Sequence, residues 1–239
     1  ANAARGQADP RIGKLLAWIR LNLCPAGRWN QRRVLIFTEY TDTKRYLEQQ
    51  LRAAVAGTDR AEQRIATFHG GMGDDSREEI KRAFNAEPSK HPLRILIATD
   101  AAREGVNLQN HCADLFHFDV PWNPGRMEQR NGRIDRVLQR ADKVRCHYFF
   151  FTQRPEDRVL QALVKKTETI ENELGSLSPV LERRLQKLLG EGIRAAEADG
   201  LAQAIAAEQA DRADRQIVEE ELEEARERRQ ELARQLDRL

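Results

Sequence analysis

Short apolar runs rich in β-formers recur between residues 10 and 155, each separated from the next by a segment of helical period, and few folds satisfy that alternation. Val34-Leu35-Ile36-Phe37 lies between Arg32-Arg33 and Thr38-Glu39, and Arg64 to Phe68 ends in His69-Gly70-Gly71. Arg94 to Ala98, Leu115 to Phe118 and Cys146 to Phe151 follow. Runs this short and continuous are those of strands covered on both faces. Ahead of the first strand, Pro10 to Leu23 places Ile12, Leu15, Leu16, Ile19 and Leu23 at three- and four-residue spacings behind a proline, which predicts an amphipathic helix. Thr41 to Val55 returns to that period and is broken at Gly57-Thr58-Asp59. Asp74-Asp75-Ser76, with Glu78 and Glu79, has the acid-rich first turn of a third helix. The alternation predicts an α/β domain in three layers, a mostly parallel sheet between helices. In such sheets function collects at the carboxyl ends of the strands. That directs attention to residues 38 to 41, 69 to 72, 99 to 109 and 119 to 136.

Composition narrows the class. Lys plus Arg number 40 against 38 Asp plus Glu, so the net charge of +2 does not mark a nucleic-acid binder, and any basic surface must be local. Cys24, Cys112 and Cys146 form no CxxC or Cys/His cluster and read as small apolar residues in a reducing compartment. No apolar run approaches the roughly 18 residues that span a bilayer, so the expectation is a soluble, cytoplasmic protein with no membrane partner. The chain opens on Ala1 rather than Met, as a piece of a longer protein does.

After Thr152 the character changes. Residues 156 to 239 carry no strand signal and predict a helical extension, broken near Gly175 to Pro179. Val218, Leu222, Ala225, Arg229, Leu232, Leu236 and Leu239 alternate by four and three, a heptad seam that suits either a helical hairpin or a coiled coil and offers a docking surface for a protein partner.

Three blocks stand at the strand ends. Thr99-Asp100-Ala101-Ala102-Arg103-Glu104-Gly105-Val106-Asn107-Leu108-Gln109 ends a strand in a hydroxyl, a carboxylate and a glycine-containing turn, groups that suit a phosphodiester or a ribose. Asp119-Val120-Pro121-Trp122-Asn123-Pro124 fixes the chain around a Trp read as a packing residue. In Gln129-Arg130-Asn131-Gly132-Arg133-Ile134-Asp135-Arg136, a helical conformation would put Arg133 and Arg136 on one face with Gln129 a turn earlier, a clamp for a polyanion. His117, within an apolar strand, reads as structural.

These blocks carry a resemblance. ILIATDAAREGVNLQ resembles motif V of superfamily 2 helicases and QRNGRIDR resembles motif VI, the Q-x-x-G-R-x-x-R signature. HFDVPWNP and GRIDRVLQ are most similar to the Swi/Snf-type double-stranded DNA translocases, especially their bacterial RapA-like relatives, and VLIFTEY and FHGGM match motifs IV and IVa. The resemblance covers residues 10 to 155 and implies a C-terminal RecA-like lobe. It implies that Arg133 and Arg136 reach the β- and γ-phosphates of ATP as arginine fingers, and that Gln129 stands near the γ-phosphate or attacking water. Gly105, Asn107 and Gly132 match positions that couple the nucleotide site, while Thr38, His69, Gly70, Thr99 and Asp100 match nucleic-acid-facing ones. Val137-Leu138-Gln139 stands where Ile-Gly-Gln is usual, and Glu39-Tyr40 where Swi/Snf-type enzymes often have Ser-Gln.

Neither G-x-x-x-x-G-K-[ST] nor a D-E-x-H box occurs in the sequence. ATP with Mg²⁺ would therefore be held mainly by an N-terminal RecA-like lobe, with Pro10 entering from the interlobe linker, and the chain alone is expected to be inactive. The partners implied are that first lobe and double-stranded DNA. Two other readings stay open: a lobe of a strand-separating DNA or RNA helicase, and a non-catalytic module with a helical docking tail.

Overall fold

The computed structural model describes residues 9–100, 107–121, 124–135, 139–151, 153–154, 157–162 and 164–165. The chain divides into two compact units, 1–149 and 150–239, a boundary a few residues earlier than the composition shift suggests. Of the second unit the described residues include a helical stretch at 157–162 and a bond from the Phe151 amide to Asp157 Oδ2 (2.6 Å). The heptad seam and the break near Gly175 lie outside the described residues.

The first unit is built on five strands, β1 (Val34–Thr38), β2 (Ile65–Phe68), β3 (Ile95–Thr99), β4 (Asp114–His117) and β5 (Arg145–Tyr148), in the order β2-β3-β1-β4-β5. Every pairing is parallel. Val34 stands opposite Ile95 and Asp114, and Phe37 opposite Ala98 and His117, so the central strands end level with one another. All five residues of β1 are buried, and alternate ones serve different cores. Val34 and Ile36 pack with Leu15, Ile19, Leu47 and Leu51, whereas Leu35 and Phe37 pack with Phe68, Phe84, Leu108 and Ile134. A sheet with a core on each face is the three-layer arrangement that the unbroken apolar runs require.

The helices are α1 (Pro10–Asn22), α2 (Thr41–Val55), α3 (Asp74–Asn85) and α4 (Pro124–Asn131). α1 starts where it does because the Asp9 carboxylate accepts the Arg11 amide (2.9 Å) and Pro10 fills the first turn. α3 begins after Gly73 with Asp74 and Asp75 in its first turn, where carboxylates oppose the helix dipole. Because every pairing is parallel, all the strand tips lie at the same edge of the sheet.

The opposite edge is held by arginines. Arg33, Arg64 and Arg94 are all buried, and main-chain carbonyls are their chief acceptors. Arg94 donates to the carbonyls of Asn30 (2.7 Å), His91 (2.6 Å) and Pro88 (2.7 Å), and Arg33 to those of Leu93 (3.1 Å), Ala86 (2.6 Å) and Phe84. Together they staple the 86–93 loop beneath β1 and β3. Burial pushes Arg33 and Arg94 down to about 10, and mutual repulsion among the guanidiniums adds to it. Leu35→Ala, which empties a fully buried position of the central strand, is expected to destabilise the chain by about 2–5 kcal/mol, read as a shift in the urea unfolding midpoint with an unchanged slope.

Candidate functional site at the strand tips

β1 lies between β3 and β4; the connection from β1 to β2 passes β3, and that from β3 to β4 passes β1 in the opposite direction, so the tips of these three strands border the crevice of a doubly wound sheet. A continuous polar network occupies that place. The Thr38 hydroxyl donates to Asp119 Oδ2, and Arg11 reaches Asp119 Oδ1 (3.2 Å) and the Phe118 carbonyl (2.9 Å) while also gripping Asp9 (2.6 Å). Burial works against the charge on Arg11, but Asp9 and Asp119 more than offset it and leave its pKa above the ordinary value. From α4, Arg130 closes a two-toothed ion pair with Asp100 (2.6 and 2.5 Å) and donates to the Asp119 carbonyl (2.6 Å). Its guanidinium also lies 5.3 Å from the centre of the Phe37 ring, and only 2% of the residue is exposed. The start of motif V and the helix of motif VI are thus joined by a buried, charge-assisted fork.

The structure distributes the expected site residues unevenly. Thr38 and Thr99 are buried, and Thr38 spends its hydroxyl on Asp119. Asp100 is half-buried against Arg130. Asn107 is exposed, and its carbonyl accepts from the Asn85 amide (2.7 Å). Gly105, Arg136 and Trp122 lie outside the described residues. Gln129 is exposed on α4. The shared helical face of Gln129 and Arg133 is corrected by the structure: α4 stops at Asn131, and residues 132–134 form a turn. Gly132 carries the exit from the helix, its amide bonded to Glu128 O (2.8 Å), and a Cβ added there would meet that oxygen at 3.3 Å. Arg133 follows in the turn, 8% exposed, its amide bonded to Arg130 O (3.1 Å) and its carbonyl accepting the Leu108 amide (3.0 Å). It is drawn into the lobe instead of standing at the rim.

A second group gathers at the tips of β1 and β2. His69 and Gly70 begin the loop after β2; the Gly70 carbonyl accepts from Arg77, which also pairs with Asp74 (3.1 Å). Lys44, on the buried side of α2 in line with Leu47, Leu51 and Val55, sits close enough to act on His69. Burial, then Lys44 and Arg77, holds the His69 imidazole below its usual pKa, so at neutral pH it is uncharged beside two cations. Lys44 and Arg77 were missed from sequence. For Lys44 a signal existed: it interrupts an apolar stripe at a position where the spacing asks for a leucine. Glu39, the residue that departs from Ser-Gln, binds Arg126 of α4 (3.1 Å).

Residues 14–138 match the family described as the helicase conserved C-terminal domain. The chain belongs to that family. Among its relatives, YqhH of Bacillus subtilis (strain 168), described as an ATP-dependent helicase, is 33% identical over 151 residues, 63% of this chain and 25% of that protein. RapA of Proteus mirabilis (strain HI4320), described as RNA polymerase-associated, is 33% identical over 141 residues, 59% of this chain and 13% of that protein. The chain therefore spans a quarter or less of these relatives. The C-terminal part of the Fun30 ATPase domain aligns with 83% of this chain and 52% of its own at 19% identity and a TM-score of 0.46. The family match and the five parallel strands make the chain a helicase C-terminal, RecA-like lobe, with RapA and YqhH among its relatives. Among the described residues no helix is long and apolar enough to cross a membrane.

His117 ties β4 to α4: its Nε2 meets Asn131 Oδ1 at 2.8 Å and its ring stacks on Tyr148 at 4.7 Å. Burial pushes its pKa down to about 3, the Asn131 bond opposing. Because the unfolded chain takes up that proton near pH 6.5 and the folded one does not, stability is lost as pH falls from about 6.5 towards 3. His117→Asn is expected to flatten part of this acid limb, measured as the urea midpoint at pH 7 and pH 5 for both proteins; parallel pH dependences would contradict it.

Proposed function

We propose that the chain is the second motor lobe of an ATP-dependent double-stranded DNA translocase, supplying arginine fingers to a nucleotide held between it and a first RecA-like lobe. The observation that carries this reading is the Asp100–Arg130–Asp119 network, which binds motif V to motif VI at the strand tips, where a lobe must couple nucleic acid to nucleotide. Under this reading Arg133 and Arg136 neutralise charge that develops on the transferred phosphoryl group, and Gln129 orients the attacking water. Gly105, Asn107 and Gly132 shape the nucleotide side of the junction. No group of three or more His, Cys, Asp or Glu among the described residues is disposed to hold a metal ion, and Asp100 and Asp119 are committed to arginines. Under the same reading, the Mg²⁺ that accompanies ATP is held mainly by the first lobe.

On the nucleic-acid side, Thr38, His69, Gly70, Thr99 and Asp100 border the track. The two threonines are buried, as Lys44 largely is, and Lys44 and Arg77 beside His69 bring the positive charge that favours phosphates at these tips. RapA is an RNA polymerase-associated protein, and a comparable setting beside the polymerase is part of this reading.

The test is ATP hydrolysis by the full-length protein with duplex DNA, single-stranded DNA, RNA or none. Duplex is expected to stimulate most, and Arg136→Ala to lower kcat at least roughly tenfold with its folding intact. Better stimulation by single strands or RNA would exclude the duplex translocase and favour a strand-separating helicase. Lys44→Gln is expected to weaken duplex binding and reduce the slope of log affinity against log salt concentration by about one contact; an unchanged slope removes Lys44 from the track.

A further inference from the structure

The signature Q-x-x-G-R-x-x-R leaves its second position open, yet Arg130, which fills it, is more buried than the signature residue Arg133. Its Nε and one terminal nitrogen engage both oxygens of Asp100, and its other terminal nitrogen engages the Asp119 carbonyl, all at 2.5–2.6 Å. Asp119 is itself fixed by Thr38 from β1 and Arg11 from α1. The guanidinium is therefore built into four elements at once: the tip of β3, the tip of β4, the tip of β1 through Thr38, and the entry of the chain through Arg11.

What Arg130 holds on its main chain is the other half of the observation. Its carbonyl accepts the Arg133 amide (3.1 Å), and the Arg133 carbonyl accepts the amide of Leu108, at the end of motif V (3.0 Å). Arg133 is thus held by its backbone between Arg130 and motif V, and the exposed Gln129 is the residue immediately before Arg130. A displacement of Arg130 must move both.

We infer that Arg130 is a positioning residue for ATP hydrolysis: its fork on Asp100 and Asp119 sets where α4 ends, and thereby where Gln129 and Arg133 stand relative to the nucleotide. The inference rests on the motor reading above. Arg130 touches neither nucleotide nor nucleic acid; it acts through the backbone it anchors. A lysine cannot replace it, since an ammonium has no planar fork to span two carboxylate oxygens and a carbonyl together.

The experiment uses the full-length protein with duplex DNA and compares Arg130→Gln, Arg130→Lys, Asp100→Asn and the double Arg130→Gln/Asp100→Asn variant. Arg130→Gln and Asp100→Asn are each expected to lower kcat roughly ten- to hundredfold, with KM for ATP changed much less, because the geometry of the reacting groups is lost and not their affinity. Arg130→Lys should lose nearly as much as Arg130→Gln. The double variant should be no slower than the slower single one, since either change breaks the same fork. Asp100→Asn keeps the shape of the side chain and covers the case in which Arg130→Gln does not fold. A thermal midpoint that falls while kcat per folded molecule stays at the wild-type level would overturn the inference, as would losses that multiply in the double variant. Wild-type protein that hydrolyses no ATP would overturn the motor reading and this role with it; an active wild type with unaffected variants would overturn this role alone.

Discussion

Parallel pairing of β1 with both β3 and β4 is the constraint from which the rest of the lobe follows. Three parallel strands in register end together, and a sheet buried on both faces leaves its polar residues little room except at its two edges. Thr38, Thr99-Asp100 and Asp119 are therefore assembled into one site by the hydrogen-bond ladder itself. An antiparallel strand at the centre would have sent one of these groups to the far edge. The core residues Leu35, Ala98 and Leu115 contribute to function in this sense, by favouring this register of the ladder.

The two edges treat buried arginine differently, and the difference separates architecture from mechanism. At the amino edge, Arg33 and Arg94 donate hydrogen bonds to neutral carbonyls, and Arg64 adds one exposed carboxylate, Asp59. Carbonyl dipoles hold a loop well but do not neutralise a charge, which is why burial drags two of these guanidiniums down to about 10. At the carboxyl edge, Arg11 and Arg130 meet carboxylates in charge-assisted bonds. Such pairs are not strong sources of stability, because desolvation consumes most of the attraction, but breaking one partner is costly and the geometry they impose is narrow. Under the proposed function, narrow geometry is what a site presenting cations to a phosphoryl group needs.

The strands and helices were legible because their signals were local. Val34–Phe37 and Thr41–Val55 appear within a residue of where composition and period put them. The site was legible only at the level of motifs. Asp119 was visible beside Pro121, but nothing local says that its carboxylate bridges Thr38 and Arg11, residues 81 and 108 positions away. Arg130 was passed over because an arginine between Gln129 and Gly132 looks like any solvated helix residue until the fold brings Asp100 to it. The extent of α4 was misjudged for a related reason: the period continues past Asn131, but Gly132 lets the backbone leave the helix, and the bonds that reward it, to Arg130 and Leu108, are partly long-range.

The burial of Arg133 has a consequence for how such a lobe could work. A finger that stood in solvent would bind a triphosphate at the cost of ordering a long side chain; one already drawn into the lobe gives up internal contacts when it reaches out. Under the proposed function, the nucleotide and first lobe must offer Arg133 more than the lobe does, so closure and finger release are a single equilibrium and neither proceeds far without the other. Nucleic acid that moves motif V would bias that equilibrium directly, because Leu108 holds the Arg133 carbonyl and Arg130 its amide. The same short stretch of backbone thus joins track and fuel.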